Sequence, residues 1–170
     1  MKPIIIAGNG PSLAQIDYSR LPKDYDVFRC NQFYFEDKYY LGKKIKGVFF
    51  NSNIIKEQIF TLLQIETNNE YDIDRIYCRP RLDNGEIRID DKKISEVFPF
   101  VLNTYDFLIK QNDYSKLEFS YRYFYDQYPT MGIVMLYTAI AQGYKEIYLT
   151  GIDFYKGGGD RLCFQSKKRR

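Results

Sequence analysis

The chain of 170 residues contains no histidine and no tryptophan. Without histidine, the chain can hold neither a Ser-His-Asp triad nor a histidine-ligated metal ion, and it has no histidine general base. The three cysteines, Cys30, Cys78 and Cys163, are scattered and show no Cys-x-x-Cys spacing. We therefore expect reduced thiols in a cytoplasmic protein, with no disulfide and no metal site.

The sequence also lacks long apolar runs and a strong charge of either sign. Met1 runs almost directly into an apolar strand, so we expect no signal peptide, and no apolar stretch approaches the length of a membrane span. The net charge of +3 is too small to indicate nucleic-acid binding by itself. A hydrophobic fraction of 45% and a charged fraction of 28% are typical of a soluble globular domain.

The first dozen residues have the pattern of a buried strand, a glycine turn and a helix start. Ile4 to Ala7 is uniformly apolar, Gly8 and Gly10 permit a sharp turn, and Ser12 has capping-box spacing to Gln15. This arrangement favours a phosphate site, although an ordinary strand-turn-helix without a ligand is the alternative. Because Leu13 stands where a third glycine would be, the dinucleotide fingerprint is incomplete, which disfavours a Rossmann oxidoreductase.

Short apolar segments alternate with helical ones along most of the chain, which predicts a single α/β domain with a parallel sheet. Predicted strands are Ile4 to Ala7, Asp26 to Cys30, Lys46 to Phe50, Asp74 to Cys78 and Glu146 to Thr150. Predicted helices are Pro11 to Arg20, Phe33 to Gly42, Asn53 to Asn68 and a buried one from Met131 to Gln142. We expect a loop or edge hairpin from Arg79 to Lys93, whereas Lys116 to Phe124 fits either a strand or a helix.

Several predicted strands end in glycine or asparagine: Gly8-Asn9, Asn31, Asn51 and Gly151. In an open parallel sheet these ends share one edge, which we call the carboxyl rim, and ligands bind there. Three amides on that rim favour a polar ligand such as a sugar or a nucleotide, although asparagine also follows strands simply because it tolerates turns. Thr130, just ahead of the buried helix, offers a hydroxyl and a second helix N-terminus.

Acidic and phenolic candidates lie near the same rim. Asp153 follows the last strand, where a carboxylate often accepts from ribose hydroxyls, and a turn aspartate is the alternative. Tyr155 carries a phenol that can donate to a phosphate oxygen. Asp72 and Asp74 form a D-x-D pair, but they open a strand at the opposite end, which favours a solvated strand start over a metal site.

Long stretches of the sequence resemble glycosyltransferase family 42, the bacterial sialyltransferases, and most closely those that act on Campylobacter lipooligosaccharide. The runs that carry this resemblance are Ile4 to Ser12, Tyr25 to Lys44, Gly143 to Leu149 and Gly151 to Tyr155. Similarity is near-continuous over residues 3–51, weak over 60–128 and strong again over 132–155.

The resemblance implies one Rossmann-like domain over residues 1–170, of the A-type glycosyltransferase variety and incomplete at its C-terminus. It implies a metal-independent, inverting sialyltransferase without a cofactor, which moves sialic acid from CMP-sialic acid to a terminal galactose or sialic acid of lipooligosaccharide. It also implies a homo-oligomer and a cytoplasmic location with peripheral contact to the inner membrane in the full-length form.

Site residues follow from the same resemblance. Donor-binding positions are Gly8, Asn9, Gly10, Asn31, Asn51, Gln58, Thr130, Gly151, Asp153 and Phe154. Tyr155 matches a tyrosine that stabilises the leaving phosphate, as a preorganised donor can.

The sequence departs from the family pattern in three places. Tyr128-Pro129-Thr130-Met131-Gly132 replaces Arg-Ile-Thr-Ser-Gly, a second leaving-group tyrosine is absent, and so is the family's histidine base. We expect a truncated or frame-shifted product. The alternative to an active enzyme is therefore a catalytically dead remnant that binds CMP.

Overall fold

The computed structural model describes residues 1–52, 55–80, 88–89 and 91–153. Its strands are β1 (Ile4–Ala7), β2 (Asp26–Cys30), β3 (Lys44–Ile45), β4 (Gly47–Asn51), β5 (Asp72–Ile73), β6 (Ile76–Arg79), β7 (Arg88–Ile89), β8 (Lys92–Lys93), β9 (Val101–Asn103) and β10 (Ile147–Thr150). Its α-helices are α1 (Ile55–Asn68), α2 (Ile94–Val97), α3 (Tyr105–Leu108), α4 (Asn112–Tyr125) and α5 (Met131–Ala141).

Six strands form one parallel sheet in the order β10-β1-β2-β4-β6-β9. From β1 the chain adds strands outward in one direction as far as β9, and β10 then returns to the other side of β1. The strand order therefore reverses between β1 and β10, and this switch point is where such sheets bind ligands. The predicted α/β class with a mostly parallel sheet is confirmed.

Both faces of the sheet are covered, so its strands are apolar throughout rather than alternating. On one face Phe28, Phe49 and Tyr77 pack with α5, which contributes Val134 and Met135.

On the other face Val48, Phe50 and Cys78 pack with Leu62 and Ile65 of α1. The predicted buried helix is α5, which is followed by Gly143 at a φ of 86°. Its all-round apolar surface is not fully buried, since Ile140 is exposed.

The predicted helix from Pro11 to Arg20 is wrong in type and extent. Two 3₁₀ helices, Pro11–Gln15 and Tyr18–Arg20, replace it. Asp17 interrupts the segment because its carboxylate accepts a hydrogen bond from the Ser19 N–H and caps a new turn.

The predicted helix from Phe33 to Gly42 is also wrong, since only Phe33–Phe35 forms a 3₁₀ helix. Glu36 leaves the helical path and pairs with Arg29 at 2.8 Å, with both side chains almost fully buried. A buried ion pair of this kind overrides the weak local helix preference.

Elsewhere the sequence predicts the element types better than their ends. The ambiguous segment from Lys116 to Phe124 lies inside α4, and the predicted fourth strand begins two residues later, at Ile76. A hairpin of β7 and β8 lies within the segment expected to be a loop or edge hairpin, while residues 81–87 of that segment lie outside the described residues. Strand β9 was missed because three residues carry no periodic signal.

Substitution of Gly8 by alanine tests the close approach of β1 and β10. A Cβ at Gly8 would lie 2.3 Å from the carbonyl oxygen of Gly151, which is backbone and cannot turn away. We expect Gly8→Ala to lower the free energy of unfolding by about 1–3 kcal/mol in urea denaturation.

Gly132→Ala is the matched control, because a Cβ there would meet only the flexible end of Ile152, at 3.1 Å. The alanine also favours the helix, so this variant should be neutral or more stable. Equal stability of Gly8→Ala and the native chain would refute the proposed backbone constraint.

Candidate functional site

The turn after β1 lies directly against the turn after β10, at the switch point of the sheet. The Gly8 N–H donates to the Thr150 carbonyl at 2.9 Å, and the Gly10 N–H donates to the Gly151 carbonyl at 2.8 Å. Gly151 adopts a φ of 64°, a left-handed conformation that favours glycine. Three of the predicted donor-site residues are thus brought together by backbone contacts alone.

Asp153 locks this turn to the first 3₁₀ helix. One carboxylate oxygen accepts from the Ser12 N–H at 2.9 Å, and the other accepts from the Ser12 hydroxyl. The predicted capping box of Ser12 and Gln15 is therefore wrong, because Ser12 binds Asp153 instead and the Gly10 N-cap makes no side-chain bond. A carboxylate can accept further hydrogen bonds, so Asp153 keeps capacity for a ribose hydroxyl.

Asn9 bridges from the first strand turn to the end of β2. Its amide Nδ2 donates to the Cys30 carbonyl at 2.9 Å, while its Oδ1 is buried without a hydrogen-bond partner among the described residues. The side chain is thus fixed by one end, and its acceptor end is left available for a ligand.

Asn31 and Gln58 form the next contact along the rim. Asn31 follows β2 with a φ of 50°, and its Oδ1 accepts from the Gln58 Nε2 at 3.3 Å. Gln58 lies in the first turns of α1 and is fully buried, yet its Oε1 has no partner among the described residues. Helix α1 therefore brings a distant glutamine to the predicted asparagine.

Asn51 and Thr130 lie on the far side of the rim. Asn51 ends β4 and is the register partner of Arg79, the last residue of β6. Thr130 is the N-cap residue of α5 and is exposed, and the Arg79 guanidinium donates from Nη1 to the carbonyl of the preceding Pro129 at 2.7 Å. Arg79 thus lies between two predicted donor-site positions.

The structure also shows groups that the sequence did not single out. Arg79 and Thr150 carry buried polar atoms at strand ends that have no partner among the described residues. A positively charged residue at a strand end could have indicated Arg79 from the sequence. It was missed because Arg79 precedes Pro80 and was assigned to the loop that follows the strand. Phe154 and Tyr155 lie outside the described residues, and their predicted roles stay predictions.

A buried ion pair stands behind the rim on β2. Burial raises the pKa of Glu36, and the neighbouring Arg29 guanidinium opposes that rise. The Tyr71 hydroxyl donates to the second Glu36 oxygen at 3.4 Å, and Arg29 also lies 5.3 Å from the Phe33 ring centre. These contacts give the pair a structural role in holding β2 and its turn.

A cavity of about 850 Å³ opens between α3 and α4. Aromatic and charged side chains line it, among them Tyr105, Phe119, Arg122 and Tyr128. None of the predicted donor-site residues is among its described lining residues, so it is a neighbour of the rim and not the rim itself.

The D-x-D pair does not reach the rim. Asp74 pairs with Lys46 ahead of β6, and Asp72 belongs to the small separate sheet of β3 and β5. In the described part of the chain, no group of three or more Cys, Asp or Glu side chains could hold a metal ion. None of the described helices combines the length and the hydrophobicity that a membrane span requires.

The fold and the site define an open parallel α/β domain with a polar ligand rim at its switch point. The family model described as "Alpha-2,3-sialyltransferase (CST-I)" matches residues 2–170. The chain therefore belongs to this sialyltransferase family, as the sequence predicts.

Solved structures of relatives agree. CstII from Campylobacter jejuni in complex with the substrate analogue CMP-3FNeuAc is 45% identical, with a TM-score of 0.86 over 99% of this chain and 66% of that chain. CST-II in complex with a trisaccharide acceptor and CMP is 44% identical, with a TM-score of 0.84 over 99% of this chain and 68% of that chain.

Monofunctional alpha-2,3-sialyltransferase Cst-I from Campylobacter jejuni is 46% identical, with a TM-score of 0.82 over 95% of this chain and 58% of that chain. The chain thus spans about two thirds of the length of the CstII structure and less of Cst-I.

Thiol labelling tests the burial of the two strand cysteines beside this rim. Burial raises the pKa of Cys30 to about 11 and that of Cys78 to about 12. At pH 8 only about one Cys30 thiol in a thousand is then a thiolate. We expect a Cys163→Ser variant to react with a thiol reagent only after unfolding in urea. Rapid labelling of the native variant would contradict the described burial.

Proposed function

We propose that this chain binds CMP-sialic acid at the carboxyl rim and transfers sialic acid to a terminal galactose or sialic acid of lipooligosaccharide. Membership of the sialyltransferase family supports this activity. Its relative CstII has been crystallised with CMP-3FNeuAc, and CST-II with CMP and a trisaccharide acceptor.

One observation carries the placement of the donor. Five of the described residues carry a buried side-chain polar atom without a partner, and four of them lie at a strand end or at the start of α1: Asn9, Gln58, Arg79 and Thr150. The fifth, Arg29, belongs to the ion pair behind the rim. Unsatisfied buried polar groups are costly, and native proteins keep few of them. Their collection on one rim supports a polar ligand that completes their hydrogen bonds.

The proposed reaction is a direct displacement with inversion. The acceptor hydroxyl oxygen bonds to the anomeric carbon of sialic acid while the bond from that carbon to the CMP phosphate breaks, and the hydroxyl proton passes to a base. The negative charge ends on the phosphate, so preorganised donors aimed at it lower the barrier. Tyr155 is the proposed leaving-group donor.

No metal ion and no cofactor take part in the proposed reaction. The D-x-D pair supports this view, because Asp74 is engaged by Lys46. We further propose that the chain works in the cytoplasm, in peripheral contact with the inner membrane.

The histidine that acts as general base in the family is missing from this chain. The chain has no histidine, so a different group must take the acceptor proton. If none does, the chain binds CMP but does not catalyse transfer, which is the remnant alternative.

A turnover assay separates these two functions. Incubation of the chain with CMP-sialic acid and a labelled lactoside should release CMP in an acceptor-dependent manner above a buffer blank. Donor binding without CMP release would favour the remnant. If the chain neither binds the donor nor releases CMP at millimolar donor, the proposal is overturned.

Substitution of Gln58 by methionine tests the rim as the donor site. The change removes both the bond to Asn31 and the unpaired Oε1, so the free energy of unfolding should change by less than about 1 kcal/mol. Affinity for CMP-sialic acid should fall about 5- to 10-fold by calorimetry, because a ligand loses its polar partner.

Gln64→Met is the matched control on the same helix. Gln64 is exposed and accepts only a hydrogen bond from Asn68 Nδ2 among its described contacts. This variant should bind the donor like the native chain. Equal losses in both variants would contradict the placement of the donor beside Gln58.

A further inference from the structure

Arg79 carries a buried guanidinium with an open edge. The residue is only 6% exposed, and its Nε and Nη2 have no hydrogen-bond partner among the described residues. Leaving two N–H groups of a cation buried and unpaired costs more than leaving a neutral group so. A residue of this kind at a ligand rim calls for a functional explanation.

The opposite edge of the guanidinium is firmly held. Nη1 donates to the Pro129 carbonyl at 2.7 Å, and the guanidinium carbon lies 5.0 Å from the centre of the Tyr128 ring. A hydrogen bond and a cation–π contact fix the plane of the group. These two contacts hold the orientation of the unpaired edge in the free chain.

The position of Arg79 at the end of β6 puts the residue on the carboxyl rim, next to predicted donor-site positions. Arg79 ends β6 and is the register partner of Asn51, so the two lie side by side on neighbouring strands. Pro129, which anchors Nη1, directly precedes Thr130. Arg79 is thus beside Asn51 in the sheet and is hydrogen-bonded to the residue before Thr130.

Nε and Nη2 lie on one side of an arginine and form a fork that fits two anionic oxygens. We propose that Arg79 is a donor-binding residue that holds a pair of anionic oxygens of CMP-sialic acid, from either its carboxylate or its phosphate. The inference rests on the proposed function. Both sources present a pair of neighbouring anionic oxygens, and the experiment below distinguishes them.

One buried carboxylate, that of Glu118, faces the Arg79 guanidinium. Burial lowers the pKa of the guanidinium, while Tyr114, Glu118 and Tyr128 act to raise it. Both Tyr114 and Glu118 belong to α4, and Tyr114 also interacts with the guanidinium as a hydrogen-bond partner. The Nε and Nη2 atoms nevertheless have no hydrogen-bond partner among the described residues. Burial also raises the pKa of Glu118, and the positive charges of Arg79 and Arg122 oppose that rise.

Calorimetry on the native chain and on Arg79→Gln tests the proposal with three ligands: cytidine, CMP and CMP-sialic acid. If Arg79 holds the carboxylate, the variant should lose about 10- to 100-fold in affinity for CMP-sialic acid alone. If it holds the phosphate, CMP should lose affinity as well. Cytidine binding should be unchanged in either case.

Arg122→Gln is the charge-matched control. Arg122 also lies over the Tyr128 ring, at 5.6 Å, but it lines the neighbouring cavity. The Arg122→Gln variant should bind all three ligands with the affinity of the native chain. If Arg79→Gln binds CMP-sialic acid within two-fold of the native affinity, or loses as much affinity for cytidine as for CMP-sialic acid, this inference is overturned. The proposed function would be unaffected by either result. If the native chain binds neither CMP nor CMP-sialic acid, both the proposed function and this inference are overturned.

A second measurement uses the unmodified side chain, in case Arg79→Gln does not fold. Because Nε and Nη2 are buried, the donor reaches them only with a local shift on binding, which is common for interface side chains. The Nε–H resonance of Arg79, assigned with Arg79→Lys, should move and exchange more slowly when CMP-sialic acid is added. A resonance that stays unchanged at saturating donor would refute direct contact.

Discussion

The contact between Gly8 and Gly151 is the constraint on which the rest of the site depends. A side chain at either position would collide with the backbone of the other, at 2.3 Å and 2.5 Å. Because the two turns touch, Asp153 reaches Ser12 and closes the switch point from above. Asn9 is then aimed across the end of β2, at the Cys30 carbonyl. The arrangement of the polar rim therefore depends on glycine at positions 8 and 151, where a side chain would keep the two turns apart.

The rim concentrates unfavourable groups that the core avoids. The cores on both faces are filled by aliphatic and aromatic side chains, while buried polar atoms without partners gather at strand ends. Proteins tolerate such groups where a ligand compensates them, at a cost in stability of the free form. The rim is thus less stable than the sheet beneath it, and binding should stabilise the whole domain.

The sequence predicted what depends on local pattern and missed what depends on distant partners. The apolar strands and the Gly143 helix end are local signals, and both were confirmed. The helix from Pro11 failed because Asp17 caps a new turn inside the segment. The helix from Phe33 failed because Arg29, which lies outside that segment, pairs with Glu36. Arg79 was also missed because its contacts are with residues distant in the sequence, Pro129 and Asn51. A local sequence pattern does not predict that these residues are neighbours. The roles of the site residues stay predictions.

The place of β10 in the sheet has a consequence for how the chain folds during synthesis. β1 is made first, and β2 covers one of its edges early, yet the other edge waits for β10 from the far end of the described chain. Closing so long a loop is slow, and an apolar strand edge left open invites association with other chains. A ribosome-bound nascent chain therefore carries an unpaired Ile4–Ala7 edge almost until residue 150 emerges. During that time it is a natural client for a chaperone.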